Sequence, residues 1–138
     1  MNHSFYFKLY LASFAVFLAI DFVWLSFVAT QFYADQIGFL LAPQPNIVAA
    51  GIFYAIFVVG LLYFVVVPAL KIKQSKVSTV ALAGAFFGVV TYATYELTNL
   101  ATIDNWPLLL VAVDMIWGTV LSSSVAAMGF IIGKRLLK

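Results

Sequence analysis

The chain has 138 residues, 65% of them hydrophobic and 9% charged, with seven Lys and Arg against five Asp and Glu. A soluble domain of this length carries roughly a quarter charged residues, so the composition describes an integral membrane protein and excludes a soluble fold. Cysteine is absent and His3 is the single histidine, which removes disulfides, thiolate metal sites, CxxC redox chemistry and bis-histidine haem; the basic residues sit in short clusters beside apolar segments, which is no nucleic-acid surface.

The first apolar segment covers about residues 8–30 and exceeds the ~20 residues needed to cross a ~30 Å hydrocarbon core. Its length, the internal Asp21 and the lack of an A-x-A site after it argue against a cleaved signal peptide. Residues 31–45 form a connection holding Gly38, Pro43 and Pro45. It is apolar for a loop, and two readings fit it. It is a short helix lying in the membrane interface, or the first helix runs on and then turns.

Asn46 is a plausible N-cap for a second span over residues 47–67, which carries no charge and is expected to end at Pro68. Lys71, Lys73 and Lys76 follow in a polar turn. The third span covers residues 77–102. Its first half is rich in small residues, and Gly84 and Gly88 form a GxxxG that suits close helix approach, with a second copy of the chain as one candidate partner. The fourth span covers residues 108–133. Pro107 suits its first turn, and Gly118, Ser122 and Ala126 give it a small-residue stripe.

These spans predict an all-α membrane protein, a four-transmembrane-helix bundle forming one domain over residues 1–138. All seven basic residues fall at Lys8, between spans two and three, or at the C-terminus, which are the three regions that share one side. The opposite loops carry Asp35 and Asp104 and no Lys or Arg. The positive-inside rule therefore predicts cytoplasmic N- and C-termini.

The other acidic residues, Asp21, Glu96 and Asp114, lie within spans. Each opposes insertion by ~2.5–3.5 kcal/mol at a helix centre, so lipid-facing placement is unfavourable. At 1.5 Å per residue, Asp21 lies ~20 Å above the inner boundary, and Asp114 and Glu96 lie ~10 Å and ~9 Å below the outer one. In a ~30 Å core these depths coincide, so the carboxylates can meet in one layer of the outer half. Asp21 and Trp24 share an i, i+3 face, as do Asp114 and Trp117. On the third span Tyr92, Tyr95, Glu96 and Asn99 share another. The spans contain no Lys, Arg or His to neutralise these acids, so they are expected to share protons or take hydrogen bonds from Tyr, Trp and Asn. One buried acid can be simple interhelical glue, contributing ~0.6 kcal/mol; three at one depth beside indoles and phenols point to a functional pocket. Trp106 and Tyr33 read as interfacial belt residues, and Ser122–Ser124 has no His or Lys to make a nucleophile of it.

The run from Tyr92 to Thr102 (YATYELTNLAT), then Asn105-Trp-Pro107, then Val113-Asp-Met-Ile-Trp-Gly-Thr119, resembles a bacterial family of four-helix membrane proteins, the domain of unknown function 2177. Asp21-Phe-Val-Trp24 and Pro45-Asn46 fit it too, so the resemblance covers nearly the whole chain. Glu96 stands where the family is expected to carry Asp more often. The resemblance implies a bacterial inner-membrane protein and no particular activity.

The site expected from the residues is thus Asp21, Trp24, Tyr92, Tyr95, Glu96, Asn99, Asp114 and Trp117, without metal or cofactor and with no catalytic residue assigned. It suits a protein that binds or transports a proton-linked or cationic small molecule or lipid, with a homodimer as one way to supply a second gate. A metal-free membrane enzyme on a lipid or isoprenoid is the first alternative. A structural subunit of a membrane complex is the second. An aqueous path to the acids favours a transporter, a lateral opening to lipid favours an enzyme, and neither favours a subunit.

Overall fold

A computed structural model describes all of residues 1–138. It contains four helices long and apolar enough to cross a membrane: α1 (His3–Leu40), α2 (Ile47–Lys71), α3 (Val77–Thr102) and α4 (Leu108–Leu136).

Asn2 starts α1, its side-chain oxygen accepting the Phe5 N–H at 2.9 Å. The helix does not stop at residue 30. It continues as one helix to Ile37 and a closing 3₁₀ turn at Gly38–Leu40, because nothing before Gly38 breaks it and Gln31 ties to Asp35 one turn on at 2.7 Å. The second reading of residues 31–45 is therefore correct, and no separate interfacial helix forms. At 38 residues, α1 is roughly 57 Å long and outruns the hydrocarbon core.

Two π turns interrupt the regular winding, at Leu25–Ala29 in α1 and Leu62–Val66 in α2. In the first, the Thr30 hydroxyl donates to the Leu25 carbonyl at 2.7 Å and satisfies a group that the wider turn frees. The turn changes which residues share a face. Twelve residues at ~100° each would set Tyr33 about 120° away from Asp21; a π turn absorbs about one residue, leaving ~20°. Both side chains then face the bundle. In α2 the π turn just precedes Pro68, and the chain resumes as helix over Val67–Lys71. The span thus passes through the proline that was expected to end it. Pro68 occupies a first-turn position there, where its missing N–H leaves no gap.

Helices α3 and α4 pack most extensively, and α1 lies against α4. Gly84 and Gly88 make the close approach possible. A Cβ on Gly84 would sit 2.8 Å from the Ser122 carbonyl oxygen, and one on Gly88 would overlap the Gly118 backbone. This GxxxG is consumed inside the chain by α4, so it is not the surface that a second copy would use.

Apolar packing divides into two unequal parts. A large core including Leu9, Phe17, Leu61, Val66, Leu121 and Val125 fills the half of the bundle nearer the termini. A small cluster of Ile37, Trp106, Leu110 and Val111 closes the distal end, opposite both termini. The buried acids occupy the layer between them.

Candidate functional site

Asp21, Glu96 and Asp114 are all buried, Glu96 completely. Each takes one hydrogen bond from an aromatic side chain. Tyr54 Oη donates to Asp21 Oδ2 at 2.7 Å, Trp106 Nε1 donates to Glu96 Oε2 at 2.9 Å, and Tyr33 Oη donates to Asp114 Oδ1 at 2.6 Å. Phenol and indole suit this work, since each has an apolar body that packs and one polar tip that pairs.

The acids do not form one equal triad. Glu96 and Asp114 are close neighbours in this layer. Glu96 Oε1 is buried with no hydrogen-bond partner. Asp21 stands apart on Tyr54. Tyr92 lines one cleft together with Asp114. Its ring rests on Gly118, where a Cβ would collide with it.

The two D-x-x-W pairs behave differently from their sequence spacing. Trp24 and Trp117 stack on each other, with centroids 4.4 Å apart and planes 8° from parallel. Their indole N–H groups are buried without a partner. The indoles therefore pack α1 against α4 and make no bond to the acids. Tyr95 is half exposed and meets Trp106 edge to face at 6.0 Å. Asn99 makes no hydrogen bond to any of the three carboxyls.

Sequence reasoning missed Tyr33, Tyr54 and Trp106, the donors to all three acids. Trp106 is buried at 7% exposure and is no belt residue. Asn105 adopts a left-handed φ of 59°, a conformation that asparagine tolerates, and the turn it makes folds Trp106 back over Glu96. Tyr33 reaches Asp114 only because of the π turn in α1. Tyr54 alone carried a readable signal. It lies eight residues past Asn46, ~12 Å into the core from the same end as Glu96 and Asp114.

Three clefts reach this layer; one, about 440 Å³, borders Asp21 and Tyr54, and the other two border Asp114. The first of these two, about 340 Å³, is lined by Phe53, Phe57, Thr91, Tyr92, Tyr95 and Asp114. It exists because α2 meets α3 mainly through the π turn and the Phe57–Phe87 contact, centroids 5.5 Å apart. Beyond that contact the helices part and leave a lateral opening between them. The second, about 250 Å³, is lined by Tyr33, Ile37, Leu41, Tyr95, Leu110 and Asp114 and faces the distal end. No group of three or more His, Cys, Asp or Glu side chains is assembled to hold a metal ion.

Among known proteins, the model of a family described as predicted membrane protein (DUF2177) matches residues 6–131. Neither the curated proteins nor the solved structures compared with the chain give a match.

Proposed function

We infer the role of this chain, which belongs to the DUF2177 family of predicted membrane proteins, from the pocket around its carboxyl pair: it binds an amphiphilic small molecule or lipid with a cationic or hydrogen-bonding head. Asp114, paired with Glu96, is the polar floor of a cleft that opens sideways between α2 and α3. That single feature carries the reading. Phe53 and Phe57 suit an acyl or isoprenoid chain. Asp114 and Tyr92 suit its head, and the ring faces of Tyr92 and Tyr95 suit an ammonium group. Asp21, Trp24, Asn99 and Trp117 then belong to the walls and scaffold of the site. The excess of Lys and Arg at the terminal end supports a cytoplasmic location for that end and a pocket in the outer half of the bilayer, and the family resemblance supports a bacterial inner membrane. Lateral entrance points to an occupant arriving from the lipid phase, which suits a lipid-binding protein or an enzyme acting on a lipid over a water-filled transport path.

A protonated carboxyl at the edge of an apolar, aromatic-lined cleft also suits acid-catalysed rearrangement of an isoprenoid, which is the second reading. Native mass spectrometry of the wild type and Glu96→Gln, released gently from detergent, tests both. The wild type is expected to carry a defined amphiphile that the variant loses. A ligand recovered unchanged from added stock supports binding, and a rearranged one supports catalysis. An empty wild type, with the variant equally folded, overturns the pocket.

A further inference from the structure

Asp114 lines two of the clefts. This is unusual for a side chain only 6% exposed, since one small buried group rarely borders two separate spaces. The clefts lie on different sides of it and differ in what they offer. The lateral one runs between α2 and α3 and is rimmed by Phe53 and Phe57. The distal one runs between the last turns of α1 and the start of α4, rimmed by Leu41 and Tyr95, which are 47% and 52% exposed. Tyr95 belongs to both and is held edge-on against Trp106, so it forms the partition. Tyr33 lines the distal cleft, and its hydroxyl donates to Asp114 at 2.6 Å.

We propose that the distal cleft is a second entrance that brings water to the Glu96–Asp114 pair from the end of the bundle, while the lateral cleft serves molecules arriving from lipid. The pair needs such a route. A proton on either carboxyl is enclosed by apolar packing, and every Lys, Arg and His sits at the terminal end of the bundle, away from the pair. Water standing at Leu41 and Tyr95 reaches Asp114 either beside Tyr33 or through its hydroxyl, which can accept one proton while donating another. The proton count of the pair is thereby set from the aqueous side without passage through the lipid-facing cleft. The inference rests on the geometry of the two clefts and holds whatever the lateral cleft binds.

Carbodiimides report the two routes separately, because they add to protonated carboxyl groups and differ in how they travel. Protein in phospholipid vesicles is treated with dicyclohexylcarbodiimide, which partitions into lipid, or with a water-soluble carbodiimide carrying a fixed cation. Peptide mapping then locates the adduct. Both reagents are expected to modify Glu96 or Asp114. Leu41→Trp, which fills the rim of the distal cleft, should cut the water-soluble adduct at least fivefold and leave the lipid-soluble one unchanged. Phe53→Trp should do the reverse. Both substitutions fall on half-exposed positions, so the fold tolerates them, and the unaffected reagent in each case serves as the folding control. Modification by the lipid-soluble reagent alone overturns the second entrance, as does loss of both adducts when either rim is filled or the absence of any adduct at the pair. Failure of the ligand reading would leave this labelling pattern intact.

Discussion

Replacing Glu96 by Gln and by Leu separates a paired carboxyl from a merely tolerated one. In Glu96→Gln the amide oxygen still accepts the Trp106 indole N–H, and the amide nitrogen offers Asp114 a donor. Every buried polar group keeps a partner, so the stability change should stay under about 1 kcal/mol. Glu96→Leu strands the Trp106 N–H, buried with its ring at 7% exposure, and takes from Asp114 its buried neighbour. Each orphaned group costs about 1–3 kcal/mol, and the relief of no longer burying Glu96 offsets part of the sum. A net loss of roughly 2–4 kcal/mol is expected. For a chain of this length that is a melting-point drop of about 6–16 °C, against less than about 4 °C for the amide. Near-UV circular dichroism of the tryptophans, followed through thermal unfolding in one fixed detergent, measures both. Equal drops for Gln and Leu would refute the pairing of Glu96 with Asp114. A Leu variant as stable as the wild type would refute the hydrogen-bonded layer itself.

Tyr54→Phe removes the donor to Asp21 Oδ2 and should cost about 1–3 kcal/mol, read in the same melts; an unchanged melting point would mean that water or another side chain already satisfies Asp21. Gly118→Ala drives a methyl into the Tyr92 ring and should cost about 1–3 kcal/mol or more, with Gly118→Ala/Tyr92→Leu recovering part of it if that collision is the cause. The parallel indoles of Trp24 and Trp117 should give an exciton couplet in far-UV circular dichroism. It should vanish in Trp24→Phe and in Trp117→Phe alike and persist in Trp106→Phe; a couplet surviving either of the first two would separate the rings. Thr30→Val leaves the Leu25 carbonyl without its hydroxyl partner and should loosen the π turn that aims Tyr33. Hydrogen exchange of residues 25–33 should then rise while that of α3 stays fixed.

Membrane character, the helix count and the acids worth attention were legible in the chain, because these follow from properties that need no neighbours. Hydrocarbon tolerates few charges, a span has a minimum length, and depth scales with residue number along a helix. Asp21, Glu96 and Asp114 stand out for that reason alone. Partners are a different matter, because which side chains meet depends on rotation about each helix and on how helices cross. A π turn in α1 swings Tyr33 onto Asp114, and periodicity at 3.6 residues cannot show it. A left-handed Asn105 returns Trp106 to Glu96 across a turn that otherwise looks like a place for an interfacial indole. The D-x-x-W spacing suggested indoles beside acids, yet packing of α1 on α4 turned the two rings toward each other. Gly84 and Gly88 promised a close helix contact, but that α4 of the same chain provides it emerges from the packing alone. The lateral and distal clefts belong to this second class, since they are spaces left where helices diverge, and no residue encodes a space on its own.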